Sequence, residues 1–137
     1  MFKKVFIALC VVFMLGTAAF AQNKFSGKGF GNMSGEDSIS FYEQALKENP
    51  NDHVALTALG SLYANVRGDY DKSIKLFEKS IQINDRYDLA HLGLGMDYAT
   101  LGMIEEARFE FQTAMTLTKR KYVMDAAREA LISLQQE

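Results

Sequence analysis

Apolar residues recur every three or four positions through the middle of the chain. Leu56, Leu59 and Tyr63 keep this spacing, and so do Ile74, Phe77 and Ile81. This is the period of a helix with one buried face. Gly68-Asp69 separates the two runs and reads as a turn, with Asp69 placed to cap the second helix. The pattern then repeats. Ala58-Leu59-Gly60-Ser61-Leu62-Tyr63 is matched by Gly93-Leu94-Gly95-Met96-Asp97-Tyr98 at an offset of 35. Gly68-Asp69-Tyr70, Ser73, Phe77 and Ser80 are matched by Gly102-Met103-Ile104, Ala107, Phe111 and Ala114 at an offset of 34. The extra residue falls in the turn after Tyr63, around Val66-Arg67. A period of this size predicts a stack of helix–turn–helix units. Within each unit small residues alternate with large ones. The missing side chain at Gly60 or Gly95 lets a neighbouring helix approach, while Tyr63, Phe77, Tyr98 and Phe111 fill the gaps between helices.

These residues, in this order, resemble the tetratricopeptide repeat: Leu-Gly, an aromatic three residues on, a turn Gly, then a small residue, an aromatic and a small residue. Pro50 stands where that family's Pro closes a unit, and Tyr42 and Ala45 align with Phe77 and Ser80. The resemblance implies an all-α helix-turn-helix solenoid over residues 37–136. It has a half repeat at 37–51, full repeats at about 52–85 and 86–119, and a closing helix at 120–136. There are departures from the family pattern. Arg128-Glu129 and Ile132 replace Leu-Gly and Tyr in the closing helix, His91 stands in place of a large aromatic, and Asp85 and Lys119 stand in place of the closing Pro.

The N-terminal region has a different character. Lys3 and Lys4 precede an apolar run over residues 5–15, and Ala19-Phe20-Ala21 offers small residues for cleavage before Gln22. That predicts a signal peptide at 1–21 and export to the periplasm or outside the cell. The alternative is a membrane anchor through an uncleaved signal. The chain thus reads as a small exported bacterial-type member of the family, with no stable membrane insertion after cleavage. Cys10 is the sole cysteine of the 137 residues, so a cleaved chain has no thiol for disulfides or thiolate chemistry. Residues 22–36 read as a flexible Gly-rich linker. Gly27-Lys28-Gly29-Phe30-Gly31 lacks the strand and helix that a phosphate loop needs. Ser34-Gly35-Glu36-Asp37 has the capping-box form that starts a helix.

Net charge adds little. Residues 1–21 carry Lys3, Lys4 and no acid, so their loss moves the net charge from −2 to −4. The only basic cluster, Lys119-Arg120-Lys121, suits a helix C-terminus. No basic stripe tracks phosphates, and nucleic acid is not an expected partner. No metal or cofactor is expected either. His53 and His91 have no partner at metal-ligand spacing, although Asp85 and Asp88 could share a face with His91. Glu106 and Glu110, the one acid pair that could suggest a hydrolase, read as lying on an exposed helix face. Ser73 and Ser80 replace small residues and read as packing positions, so no enzyme activity is expected.

The resemblance also implies a concave inner surface lined by the first helices. It runs through Val54, Thr57, Ser61 and Asn65, then Leu89, Leu92, Met96 and Thr100, then Val123, Ala126 and Ala130. Leu92 and Met96 stand out, because apolar residues at those points are either partner contacts or packing between units. Some members of the family grip a terminal carboxylate with Lys, Asn and Arg. The matching positions here, Thr57, Ser61, Gly93, Val123 and Ala127, offer no cation. An amphipathic helix or extended apolar peptide is therefore the expected ligand of a non-enzymatic adaptor. The alternative is structural self-assembly into homo-oligomers with no separate ligand. With two full units, a half and a closing helix, an open end is expected at Tyr42 and Leu46. The Phe25/Phe30 tail, a second copy or a partner could cover it.

Overall fold

The computed structural model describes residues 33–135. Six helices run through them: α1 Gly35–Glu48, α2 His53–Leu62, α3 Tyr70–Ile83, α4 Asp88–Thr100, α5 Ile104–Leu117 and α6 Lys121–Leu134. No strand occurs among the described residues. The expected signal segment 1–21, and the linker up to residue 32, lie outside them.

The helix starts follow from short polar side chains. Ser34 accepts from the Asp37 amide at 3.1 Å, and the Asp37 carboxylate accepts from the Ser34 amide at 3.3 Å, a complete capping box. Helix α1 therefore begins at Gly35, and the end of the expected linker is corrected: residues 34–36 are cap and first turn. Asp52 accepts from the amides of Val54 and Ala55 to start α2. Asp69 accepts from Lys72 N to start α3, as its place after Gly68 suggests. Each such cap contributes about 1 kcal/mol.

Helices α2 and α3 pack as one antiparallel pair and α4 and α5 as the next, with α1 before them and α6 after. The close approaches occur at glycines. A Cβ on Gly60 would lie 3.2 Å from the Phe77 ring, and one on Gly95 would lie 2.9 Å from Phe111. Phe77 also meets the next unit, since a Cβ on Gly93 would lie 2.4 Å from its ring. One buried ring thus holds α3 against both α2 and α4. Full burial of such a side chain stabilises by roughly 1.5–3 kcal/mol.

Both inner turns carry a left-handed glycine, Gly68 at φ 65° and Gly102 at φ 77°. The amide after each glycine returns to the carbonyl of the preceding repeat tyrosine. Asp69 N reaches Tyr63 O at 3.1 Å, and Met103 N reaches Tyr98 O at 2.9 Å. The first loop spans one more residue than the second. That residue is absorbed by a π-helical turn, Tyr63–Arg67, which continues α2.

The π-helical turn serves as the dock for α1. Val66 sits so close to Gly35 that a Cβ there would be 2.7 Å from Val66 Cγ2. The Arg67 guanidinium pairs with Glu36 at 2.5 Å. Tyr63 donates to Glu43 at 2.5 Å and accepts from Lys72 Nζ at 2.5 Å, with the ammonium 4.0 Å from the ring centroid. Tyr42 and Leu46 pack with Ile39, Leu59 and Tyr63 in a local apolar cluster. Both stay only half-buried there, and no described helix precedes α1 at the expected open end.

Candidate binding surface

The first helix of each unit, α2 and α4, and the closing helix α6 carry the expected inner stripe. Helix α4 packs on α2, α3, α5 and α6 together. As a result every residue from 87 to 97 is buried. Leu89, Leu92 and Met96 are 1%, 2% and 7% exposed and belong to the central core, with Val123, Ala126 and Ala130 from α6. Val54 is half-buried against the same core. Thr57 is buried and its hydroxyl shares a hydrogen bond with Ser80 on α3 at 2.8 Å. Ser61 is buried and donates to the Thr57 carbonyl. The exposed members are Asn65 and Thr100, at the ends of their helices. Asn65 donates to Ser61 O and Thr100 to Met96 O, so each keeps acceptor capacity toward solvent.

Polar side chains that looked unrelated in the sequence meet at the seams. His91 Nδ1 lies 2.6 Å from Glu110 Oε2, and Nε2 lies 2.9 Å from the Asp85 carbonyl oxygen. Both partners are acceptors, so both ring nitrogens must donate and the imidazolium fits best. Burial pulls its pKa down. The hydrogen bonds from Glu110 and the Asp85 backbone, with the charges of both residues, outweigh that and raise it. This corrects the exposed-face reading of Glu110, whose side chain is 13% exposed. Glu106, one turn earlier on the same helix, is exposed, whereas Glu110 lies against α4.

Asp88, expected near His91, turns elsewhere. Its carboxylate accepts from Thr118 Oγ1 at 2.5 Å and from Arg120 Nη1 at 3.1 Å. Arg120 therefore ties the end of α5 to the start of α4, which its place in a basic cluster did not reveal. The first unit has an equivalent tie of different chemistry. Ser80 donates to the His53 carbonyl at 2.8 Å, and Asn84 meets His53 Nε2 at 3.1 Å. Burial pushes the neighbouring Tyr87 phenol up to about 12.

Asp97 is the group that sequence reasoning missed. It is 4% exposed, and its Oδ2 has no hydrogen-bond partner among the described residues. Burial raises its pKa to about 7, and the Ser73 hydroxyl opposes this only in part. An acid among apolar repeat residues was the available signal. No group of three His, Cys, Asp or Glu able to hold a metal occurs among the described residues, and no described helix is long and apolar enough to cross a membrane.

This architecture is a tetratricopeptide-type helical solenoid. The Tetratricopeptide repeat family model matches residues 41–75, from α1 into α3. Anaphase-promoting complex subunit 3 of Schizosaccharomyces pombe is 32% identical over 87 residues, which are 64% of this chain and 13% of that protein. Cell division cycle protein 27 homolog A of Arabidopsis thaliana is 38% identical over 50 residues, 36% of this chain and 7% of that protein. The chain thus spans only a small fraction of these relatives. Among solved structures, the Arabidopsis OM64 TPR domain superposes with a TM-score of 0.68 at 19% identity, covering 97% of this chain and 98% of that one. The first TPR of Spaghetti (RPAP3), bound to the HSP90 peptide SRMEEVD, gives a TM-score of 0.64 at 18% identity, with 93% of each chain covered. At such identities the likeness establishes the fold. The family model matches part of the chain, and the solved structures show the same fold, a tetratricopeptide-type helical solenoid.

Proposed function

We propose that this protein is a non-enzymatic adaptor that holds a peptide or amphipathic helix of a partner protein along the inner side of α2, α4 and α6. The observation that carries this reading is the chemistry of that side. Its accessible members are the uncharged Asn65 and Thr100 with half-buried Val54, while Leu89, Leu92, Met96, Ala126 and Ala130 are buried in the core. A solved neighbour of the same fold holds an acidic HSP90 peptide. Here Thr57, Ser61, Gly93, Val123 and Ala127 supply no cation for a terminal carboxylate. Export through residues 1–21 belongs to the same proposal and rests on the order of charged, apolar and small residues there.

The exposed edge provides the test. Charges at Leu92 or Met96 would unfold the core and say nothing about binding. Photo-crosslinking side chains at Asn65 and Thr100, introduced in the native host, should instead capture a distinct partner protein. Thr100→Lys should abolish that capture without changing the melting temperature. Capture of further copies of this chain alone would favour self-assembly. Phe109 favours that second reading, because it leaves an aromatic ring 64% exposed on α5. Sedimentation over a range of concentrations then distinguishes a dimer from a monomeric adaptor.

A further inference from the structure

Helix α4 carries three buried titratable groups, Asp88, His91 and Asp97. Asp88 is paired with Arg120, and the other two, one near each end, each need a proton for their contacts to be complete. Near the start, His91 faces two acceptors, Glu110 Oε2 at 2.6 Å and the Asp85 carbonyl at 2.9 Å. A neutral imidazole has one N–H and leaves one of the two contacts without a hydrogen. Near the end, Asp97 stands against Ser73 of α3, in the seam between the units. The Ser73 hydroxyl already donates to the Gly60 carbonyl of α2 at 2.8 Å. Ser73 has a single hydrogen to give. If Asp97 is ionised, its carboxylate competes with Gly60 O for that hydrogen, and Oδ2 stays unpaired and buried. If Asp97 is protonated, it donates to Ser73 Oγ, which donates onward to Gly60 O. A single chain of hydrogen bonds then joins α4, α3 and α2.

We propose that α4 is a proton-dependent joint: mildly acidic conditions lock the second unit onto the first, and proton loss at Asp97 and His91 loosens the seam. The groups around each site agree with this. The charged residues facing His91 are Glu110 from α5 and Asp85 from the α3–α4 link, both acidic and both favouring the imidazolium. No charged side chain adds to the environment of Asp97, where burial and Ser73 are the only influences. Lys72, next to Ser73, is turned to Tyr63 and Glu43 instead.

The direction follows from linkage. Asp97 is raised in the folded state from 3.8 to about 7. Its contribution is therefore complete below the unfolded value and declines as pH climbs to about 7. His91 is also raised, so its contribution is complete below the ordinary histidine value and fades as pH rises through the folded one. Both groups make the domain more stable at pH 5 than at pH 8.

Thermal unfolding of the full chain and of Asp97→Asn across that range is the test. The asparagine amide donates to Ser73 at every pH. The variant should melt above the wild type at pH 8, with the gap closing as pH falls to 5. A gap that does not change with pH, or a variant less stable at pH 8, overturns the proposal. A second measurement needs no substitution. Carbon-13 NMR titration of the wild-type side chains should place Asp97 near neutrality and His91 above the usual histidine range. An Asp97 that titrates in the ordinary carboxylate range, or a His91 already neutral at pH 6, refutes the joint.

Discussion

The two full units share a sequence skeleton but not a physical character. Helix α2 of the first unit keeps half-buried positions at Val54, Ala58 and Leu62, whereas its counterpart α4 is buried throughout residues 87–97. The cause is position in the stack. Helix α4 has a first helix on either side, α2 and α6, while α2 has only α4. The units also end differently. The first loop carries a π-helical turn that docks α1, and the second closes one residue sooner and has no equivalent. The repeat tyrosines show the consequence. Tyr63 holds Glu43 at 2.5 Å within a network of two cations, whereas Tyr98 reaches Glu78 at only 3.5 Å. A repeated pattern therefore specifies helices and their packing face, and the neighbours then decide how much each helix is covered.

The largest effect should come from the ring shared by both units. Phe77→Ala removes the wedge between α2, α3 and α4 and should cost about 3–5 kcal/mol in chemical denaturation. Phe111→Ala should cost less, because Gly95 of its own unit is the one glycine set against it. The two inner glycines sharpen the contrast. Gly93→Ala forces a methyl to 2.4 Å from the Phe77 ring and should destabilise by about 1–3 kcal/mol. Gly60→Ala meets the same ring at 3.2 Å, and alanine's helix preference of about 1 kcal/mol offsets the crowding, so a change near zero is expected. Equal losses at the two positions would break the argument that Phe77 leans on the second unit.

Deleting Val66 makes the first turn as short as the second. It should leave the α2–α3 pair folded and release α1, at a cost of about 1 kcal/mol for the lost apolar contact. Amide exchange that accelerates across α1 alone is the expected readout. The smallest effect belongs to the exposed pair of Arg67 and Glu36. Arg67→Ala should shift the melting temperature by less than the Val66 deletion, and salt should erase the difference.

Much of this arrangement was legible before any coordinates. Leu59-Gly60 and Leu94-Gly95, with Phe77 and Phe111 at repeat spacing, specify where helices approach and which rings fill the approach. Ser34, Asp52 and Asp69 are short acceptors at helix starts, and local chemistry is enough to read two of them as caps. The offset of 35 against 34 located the extra residue in the turn that proved to be π-helical. The candidate surface was less legible. Val54, Thr57, Ser61, Leu89, Leu92 and Met96 lie on inner helices, but their exposure depends on how closely α2 and α6 flank α4, a distance between segments dozens of residues apart.

The sequence alone determined helices, caps, turns and the period of the stack, because these depend on residues within one or two helical turns of each other. Tertiary structure decided the partners of buried polar groups. Whether Glu110 faces water or His91, whether Asp88 meets His91 or Arg120, and whether Asp97 finds a second partner are set by the phase and separation of packed helices. Those quantities emerge only when all the apolar faces are satisfied together.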